Sequence, residues 1–147
     1  TLILVAFFAP KTVFAQEQPS LGGVAVNVEI NDSNVEVGHI ISSTSEGYKK
    51  STVAYDKLIF GVVAEAPIIS VEPRSESTRP IITTGETKVR VNNKGGNIEI
   101  GDLITSSEDT GVGQKATKAG NTVGRALETY ANSVLASTKG TNAKNDR

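Results

Sequence analysis

The chain repeats itself, and that limits what it can fold into. Shifted by 63 residues, Val26–Glu65 lies on Val89–Glu128 without a gap, and nine of the 40 aligned pairs are identical. The identities are Val26/Val89, Val28/Val91, Asn34/Asn97, Glu36/Glu99, Gly38/Gly101, Ile41/Ile104, Ser43/Ser106, Gly61/Gly124 and Glu65/Glu128. This is several-fold more than composition alone would give, and Val35/Ile98, Val37/Ile100 and Ile40/Leu103 are conservative besides. A word that recurs at a fixed period is a supersecondary unit that buries its apolar face against its neighbour.

The unit reads as β structure. Val24–Ile30 alternates, placing Val24, Val26, Val28 and Ile30 on one face, and Asn31-Asp32-Ser33-Asn34 follows as a turn. Val35-Glu36-Val37 and Ile98-Glu99-Ile100 read as short strands, with Glu36 and Glu99 pointing outward; Gly38 and Gly101 then permit a bend. Leu58–Ala64 is a continuous apolar run, short enough for a strand buried on both faces. Gly61 and Gly124, inside apolar strands, mark bulges or close backbone approaches. Thr87–Val91 alternates again before the turn Asn92–Asn97, and Pro73–Pro80 reads as a linker or surface loop. The spacing of Leu127, Tyr130, Ala131, Val134 and Leu135 allows one short terminal helix. The expected fold is all-β, a short-stranded barrel or sandwich built from two copies of one β unit, spanning residues 24–130 with repeats 26–65 and 89–128.

The first residues point to export. Leu2–Ala9 is apolar, about half the roughly 20 residues a membrane-spanning helix needs. Val13-Phe14-Ala15 then places small residues where signal peptidase cuts. Residues 1–15 are read as an N-terminally truncated signal peptide, 16–23 as a short linker and 131–147 as a flexible polar tail. No stable membrane span is expected after cleavage. Removing the first 15 residues, Lys11 among them, leaves 14 basic side chains against 16 acidic ones. That balance argues against nucleic acid as a partner. The chain has no cysteine, so disulfides, thiolate zinc sites and cysteine nucleophiles are excluded. The apolar core, or assembly with copies of itself or another envelope protein, must hold the domain.

Ile98-Glu99-Ile100-Gly101-Asp102-Leu103-Ile104-Thr105-Ser106-Ser107, then Lys115-Ala116-Thr117 and Val123-Gly124-Arg125-Ala126-Leu127-Glu128, form a phrase of the type I-x-x-G-D-L-I-T-S-S, K-A-T, V-G-R-A-L-E. With Asp56-Lys57-Leu58-Ile59-Phe60-Gly61-Val62-Val63 upstream, this resembles the peptidase G2 family. That family is the intramolecular-chaperone C-terminal β domain of phage tail-spike and bacterial surface proteins. The likeness runs from about Val35 to Glu128 and implies the scaffold, with self-cleavage as an alternative activity. Relatives follow a long trimeric stalk and continue into a final apolar strand; this sequence has a short linker and a polar tail in those places.

The inventory for chemistry is thin. His39 is the one histidine and stands where the second copy has Asp102. A triad with Ser42, Ser43 or Ser45 lacks a nucleophile elbow. Ser51 beside Lys49-Lys50, or Ser106-Ser107 near Lys115, offers a Ser/Lys pair of the sort any polar loop supplies. Glu108-Asp109 with Asp102 presents oxygens for Ca²⁺ at no recognised spacing. Gly95-Gly96 and Gly111-Val112-Gly113 read as turns. No catalytic, cofactor-binding or metal-binding residue is therefore assigned. The expected function is a non-catalytic exported structural or assembly module of the cell envelope or extracellular space. The alternatives are a self-cleaving chaperone domain and a surface- or glycan-binding module, the latter with few aromatics to offer. Secreted material should begin at Gln16; an intact mass that still contains Leu2–Ala9 would exclude this export route.

Overall fold

Nine strands in two sheets, and no helix, make up the described residues, which in the computed structural model are 22–65, 67, 69–73 and 75–131. The expected signal segment, nearly all of the linker and the tail beyond Ala131 lie outside them. The strands are β1 (Gly23–Glu29), β2 (Ile40–Thr44), β3 (Gly47–Lys50), β4 (Ile59–Val63), β5 (Ile69–Ser70), β6 (Thr78–Gly85), β7 (Leu103–Ser106), β8 (Gly113–Lys115) and β9 (Gly124–Arg125). Six form one sheet in the order β3-β2-β4-β6-β1-β5, and three form another in the order β8-β7-β9. The large sheet curls until Ile30 makes an isolated bridge to Tyr48 of β3. A single bridge does not continue a ladder, so this is not the closed barrel that the sequence allowed.

Inside the curl lies the core. Val28, Ile41, Val63 and Ile81 pack together, with Val26, Ile30, Val35, Tyr48 and Phe60 against them. The Tyr48 and Phe60 rings meet at 4.8 Å between centroids. The alternation in β1 thus puts Val26, Val28 and the following Ile30 where expected, while Val24, beyond a bulge, is not part of this cluster. The other face of the strand is covered too. Ala25 packs with Ala64 and Ile82, and Asn27 is buried with its amide donating to Ser70 Oγ and to Glu72 O. β4 is central, flanked by β2 and β6, which is why its apolar run has no polar face. Leu58 lies outside that strand and is exposed.

The two words Glu-Val-Gly-His and Glu-Ile-Gly-Asp form turns, where strands were expected over 35–37 and 98–100. His39 N–H donates to Glu36 O at 3.2 Å and Asp102 N–H to Glu99 O at 3.1 Å. Each turn has its glycine in third place at positive φ, +89° for Gly38 and +92° for Gly101, as a type II turn requires. The fourth residue then caps the first: Glu36 N–H donates to His39 Nδ1 at 3.0 Å and Glu99 N–H to Asp102 Oδ2 at 2.8 Å.

From these turns onward the halves share a hydrogen-bond pattern. Gly38 N–H donates to Val63 O and Gly101 N–H to Ala126 O, each at 2.8 Å. Val63 N–H returns to His39 O and Ala126 N–H to Asp102 O. Ile41 opposes Gly61, and Ile104 opposes Gly124. Elsewhere the halves differ. β2 and β3 turn through Ser45–Glu46, whereas β7 and β8 are joined by the longer Ser107–Val112. Thr87–Val91, expected as a strand, makes only the isolated bridge Val91–Gly113. It joins the sheets instead: Arg90 N–H donates to Gly38 O, and Arg90 O accepts from Gly113 N–H. No described strand flanks β9 on its second side, where β6 flanks β4.

Two further expectations are corrected. The presumed loop Pro73–Pro80 ends inside β6, with Thr78, Arg79 and Pro80 paired to β1. Pro80 is tolerated there because its carbonyl, and so its ring nitrogen, faces the β4 side, where Ala64 N–H donates to it just past the end of β4. The start of the supposed terminal helix is extended, since Ile98 and Tyr130 exchange both backbone hydrogen bonds at 2.9 Å; Val134 and Leu135 lie outside the described residues.

The matched glycines make a sharp test. A Cβ on Gly61 would stand 2.4 Å from Ile82 O and 2.7 Å from Ile81 Cγ2, whereas one on Gly124 would meet nothing within 4 Å. Gly61→Ala should therefore cost about 2–3 kcal/mol through overpacking, and Gly124→Ala less than about 0.5 kcal/mol. Denaturant midpoints of the two variants measure the difference.

Candidate functional site

The polar side chains converge where the two sheets meet. Asp56 closes the turn before β4: Leu58 N–H donates to its Oδ1 at 2.9 Å, and the hydroxyls of Ser42 and Ser51 donate to its Oδ2 at 2.6 and 3.3 Å. Ser42 and Ser51 are almost fully buried. The small sheet closes over them, with Ser106 Oγ accepting from Asp56 N–H and donating to Val53 O. Gly111 completes the joint, its N–H on Ser51 O at 2.7 Å and its carbonyl on Ile40 N–H at 2.9 Å. Tyr55, in the left-handed region at φ 56°, reaches across to the segment Thr117–Gly120. Its hydroxyl accepts from Thr117 N–H at 2.8 Å and Lys118 N–H at 3.2 Å, and Lys118 Nζ stands 5.0 Å from its ring centre.

Most candidates from the sequence are occupied in this way. The His39 Nδ1 that a triad would use holds Glu36 N–H, and Ser42 turns to Asp56, while Ser43 and Ser45 are exposed. Lys49 pairs with Glu46, and Lys50 reaches Ser33 O and Asp32, so neither faces the Ser51 hydroxyl. Ser107 Oγ donates to Val112 O at 2.7 Å. Lys115 pairs with Asp102 at 2.7 Å. The acidic trio is split: Asp102 serves Lys115, and Asp109 serves Lys94 at 2.6 Å and the Asn92 amide at 2.6 Å. Among the described residues no three carboxylate or imidazole groups gather as metal ligands. The Asn93–Gly96 turn forms as expected, while Gly113 belongs to β8.

The electrostatics follow from those contacts. Glu99 N–H, and then Lys115, hold the Asp102 carboxyl below the usual carboxylate range. Lys94 and Asn92 do the same for Asp109, and that carboxylate in turn raises Lys94. His39 is lowered, first by burial and then by Arg90 and Lys50, against the smaller opposing pull of Glu36 and Asp32. A neutral imidazole suits it, because only an unprotonated Nδ1 can accept the Glu36 N–H.

Between the sheets lies a cleft of about 1140 Å³. Phe60, Val62 and Ile82 of the large sheet line one wall, and Val123–Tyr130 with Ile98 and Ile104 line the other. The second half also carries the exposed apolar side chains Ile100, Leu103, Leu127 and Tyr130. Sequence reasoning missed both the Asp56 cluster and this cleft. The signal for the first was Asp56 two residues before Leu58 at a strand start; the second depends on which strand lacks a neighbour. Comparison with protein-family models, with curated proteins and with solved structures finds no match.

Two measurements check this account. Asp56→Ala leaves two buried hydroxyls without an acceptor and uncaps β4, and should cost about 3 kcal/mol in a denaturation experiment. His39 has its folded value below its unfolded value near 6.5. The native state therefore binds fewer protons, and stability present at neutral pH should fall as pH drops through that value and below. His39→Asn, which keeps an acceptor oxygen, should flatten the profile between about pH 5 and 7.

Proposed function

We propose that this chain is a non-catalytic structural module of an exported protein, acting in the cell envelope or extracellular space through assembly with another polypeptide. The observation that carries the reading is the fate of the reactive side chains. Most of the groups that could serve as nucleophile or base in the Ser/His or Ser/Lys pairings are held by other partners: His39 by Glu36, Ser42 and Ser51 by Asp56, Ser106 by Val53, Lys115 by Asp102. The exposed Ser43 and Ser45 make no hydrogen bond to the imidazole. A hydrolase needs its nucleophile and base in mutual reach.

The reading takes the module to be a duplication, in which Glu36–Val63 and Glu99–Ala126 descend from one β unit. The shared turns, caps and register support this. It also takes the likeness to the peptidase G2 family to extend to the scaffold alone. In the phrase G-D-L, K-A-T, V-G-R-A-L-E, Asp102 pairs with Lys115 and the Arg125 guanidinium donates to Gly101 O, which makes the phrase a description of one small sheet. Purified protein, incubated across pH with and without divalent ions, should neither cleave itself nor hydrolyse added peptide by mass spectrometry. One discrete fragment, abolished by Ser42→Ala or Ser51→Ala in a folded variant, would replace this reading with the self-cleaving one.

A further inference from the structure

In the first half, β4 has a neighbour on each side; in the second, its counterpart β9 has, among the described residues, a neighbour on one side only. Three observations describe the vacant side. Ala64 N–H donates to Pro80 O of β6 at 2.9 Å, whereas Leu127 N–H, at the matching position, meets no backbone partner among the described residues. Gly61 is a glycine because β6 passes 2.4 Å from where its Cβ would be; Gly124 faces open space at the matching position. An apolar side chain there is unsheltered, with Leu127 59% exposed where its counterpart Ala64 is 6% exposed. The open edge faces the 1140 Å³ cleft, whose far wall carries Phe60, Val62 and Ile82.

We propose that the open edge of β9 receives an extended strand from another polypeptide, antiparallel to β9, in the place that β6 holds beside β4. The occupant is defined by its template. It must be extended, rich in β-branched apolar residues and uncharged where it passes Gly124, as Pro80-Ile81-Ile82 passes Gly61. Main-chain hydrogen bonds to the 125–127 segment would supply affinity, and alternate side chains entering the cleft would supply specificity. Burial of Leu127 and Val123 would add an apolar contribution, and an unpaired edge invites such pairing. The inference rests on the assembly reading and names its partner's chemistry.

The test uses a synthetic peptide of this chain's own β6, Thr78–Gly85, as the probe, with a scrambled peptide as control. Labelled β6 peptide should bind the whole protein saturably and the scrambled peptide should not. Gly124→Ala, whose methyl meets nothing in the free protein, should weaken binding at least tenfold, because it would strike the incoming backbone. Leu127→Pro, which removes the open donor, should do the same, and a thermal melt of each variant establishes that it is folded. Equal binding by the wild type and folded Gly124→Ala, or no binding by the wild type, overturns the proposal. So does a concentration-dependent dimer lost in Gly124→Ala, which would assign the edge to a second copy. These outcomes are independent of the cleavage assay, so the strand site can fail while the non-catalytic reading stands.

Discussion

Backbone donors and acceptors that cannot reach water must find one another, and this requirement organises the whole chain. Most of its strands are short, so each sheet depends on what covers its edges. In the large sheet the edges of β4 are taken by β2 and β6, and the core of Val28, Ile41, Val63 and Ile81 assembles on that frame. In the small sheet β7 holds β8 and β9, and several backbone groups around it turn toward the first half. Ile40, Ser51 and Gly38 are satisfied by Gly111 and Arg90, so the joint between the sheets is itself made of main-chain hydrogen bonds. At the second edge of β9 the same rule finds no backbone partner for Leu127 among the described residues.

The polar residues serve this frame. Asp56 gathers one strand start and two buried hydroxyls; Asp102 gathers a turn and a lysine; Asp109 gathers an amide and another lysine. Buried hydroxyls are costly unless hydrogen-bonded, which is why the cysteine-free domain places its serines opposite carboxylates and carbonyls. His39 belongs to the same class. Its ring performs at the first turn what the Asp102 carboxylate performs at the second, and it makes that turn sensitive to protonation.

How much of this was legible depends on how local the cause was. The glycine bends, the Asn34 and Asn93–Gly96 turns and the two-faced burial of β4 follow from residue chemistry within a few positions. The errors came where a short word had two local readings. Val35-Glu36-Val37 alternates like a strand, yet a glycine in third place and an acceptor in fourth make Glu36–His39 a turn. Thr87–Val91 alternates as well as β1 does, but no described strand beside it plays the part of β6, and it links the sheets. Pro80 read as a loop residue, because sequence does not tell on which side of a strand its missing N–H falls.

The sequence by itself determined the all-β class, the glycine bends and the turns at Asn34 and Asn93–Gly96, because these depend on φ preferences, periodicity and near-neighbour capping. Only the tertiary structure decided that the sheets are open, that Ser42 and Ser51 belong to Asp56, and that Gly61 is packed while Gly124 stands free. Those outcomes depend on which distant segment lies alongside, and two glycines identical in sequence differ because β6 passes one and no described strand passes the other.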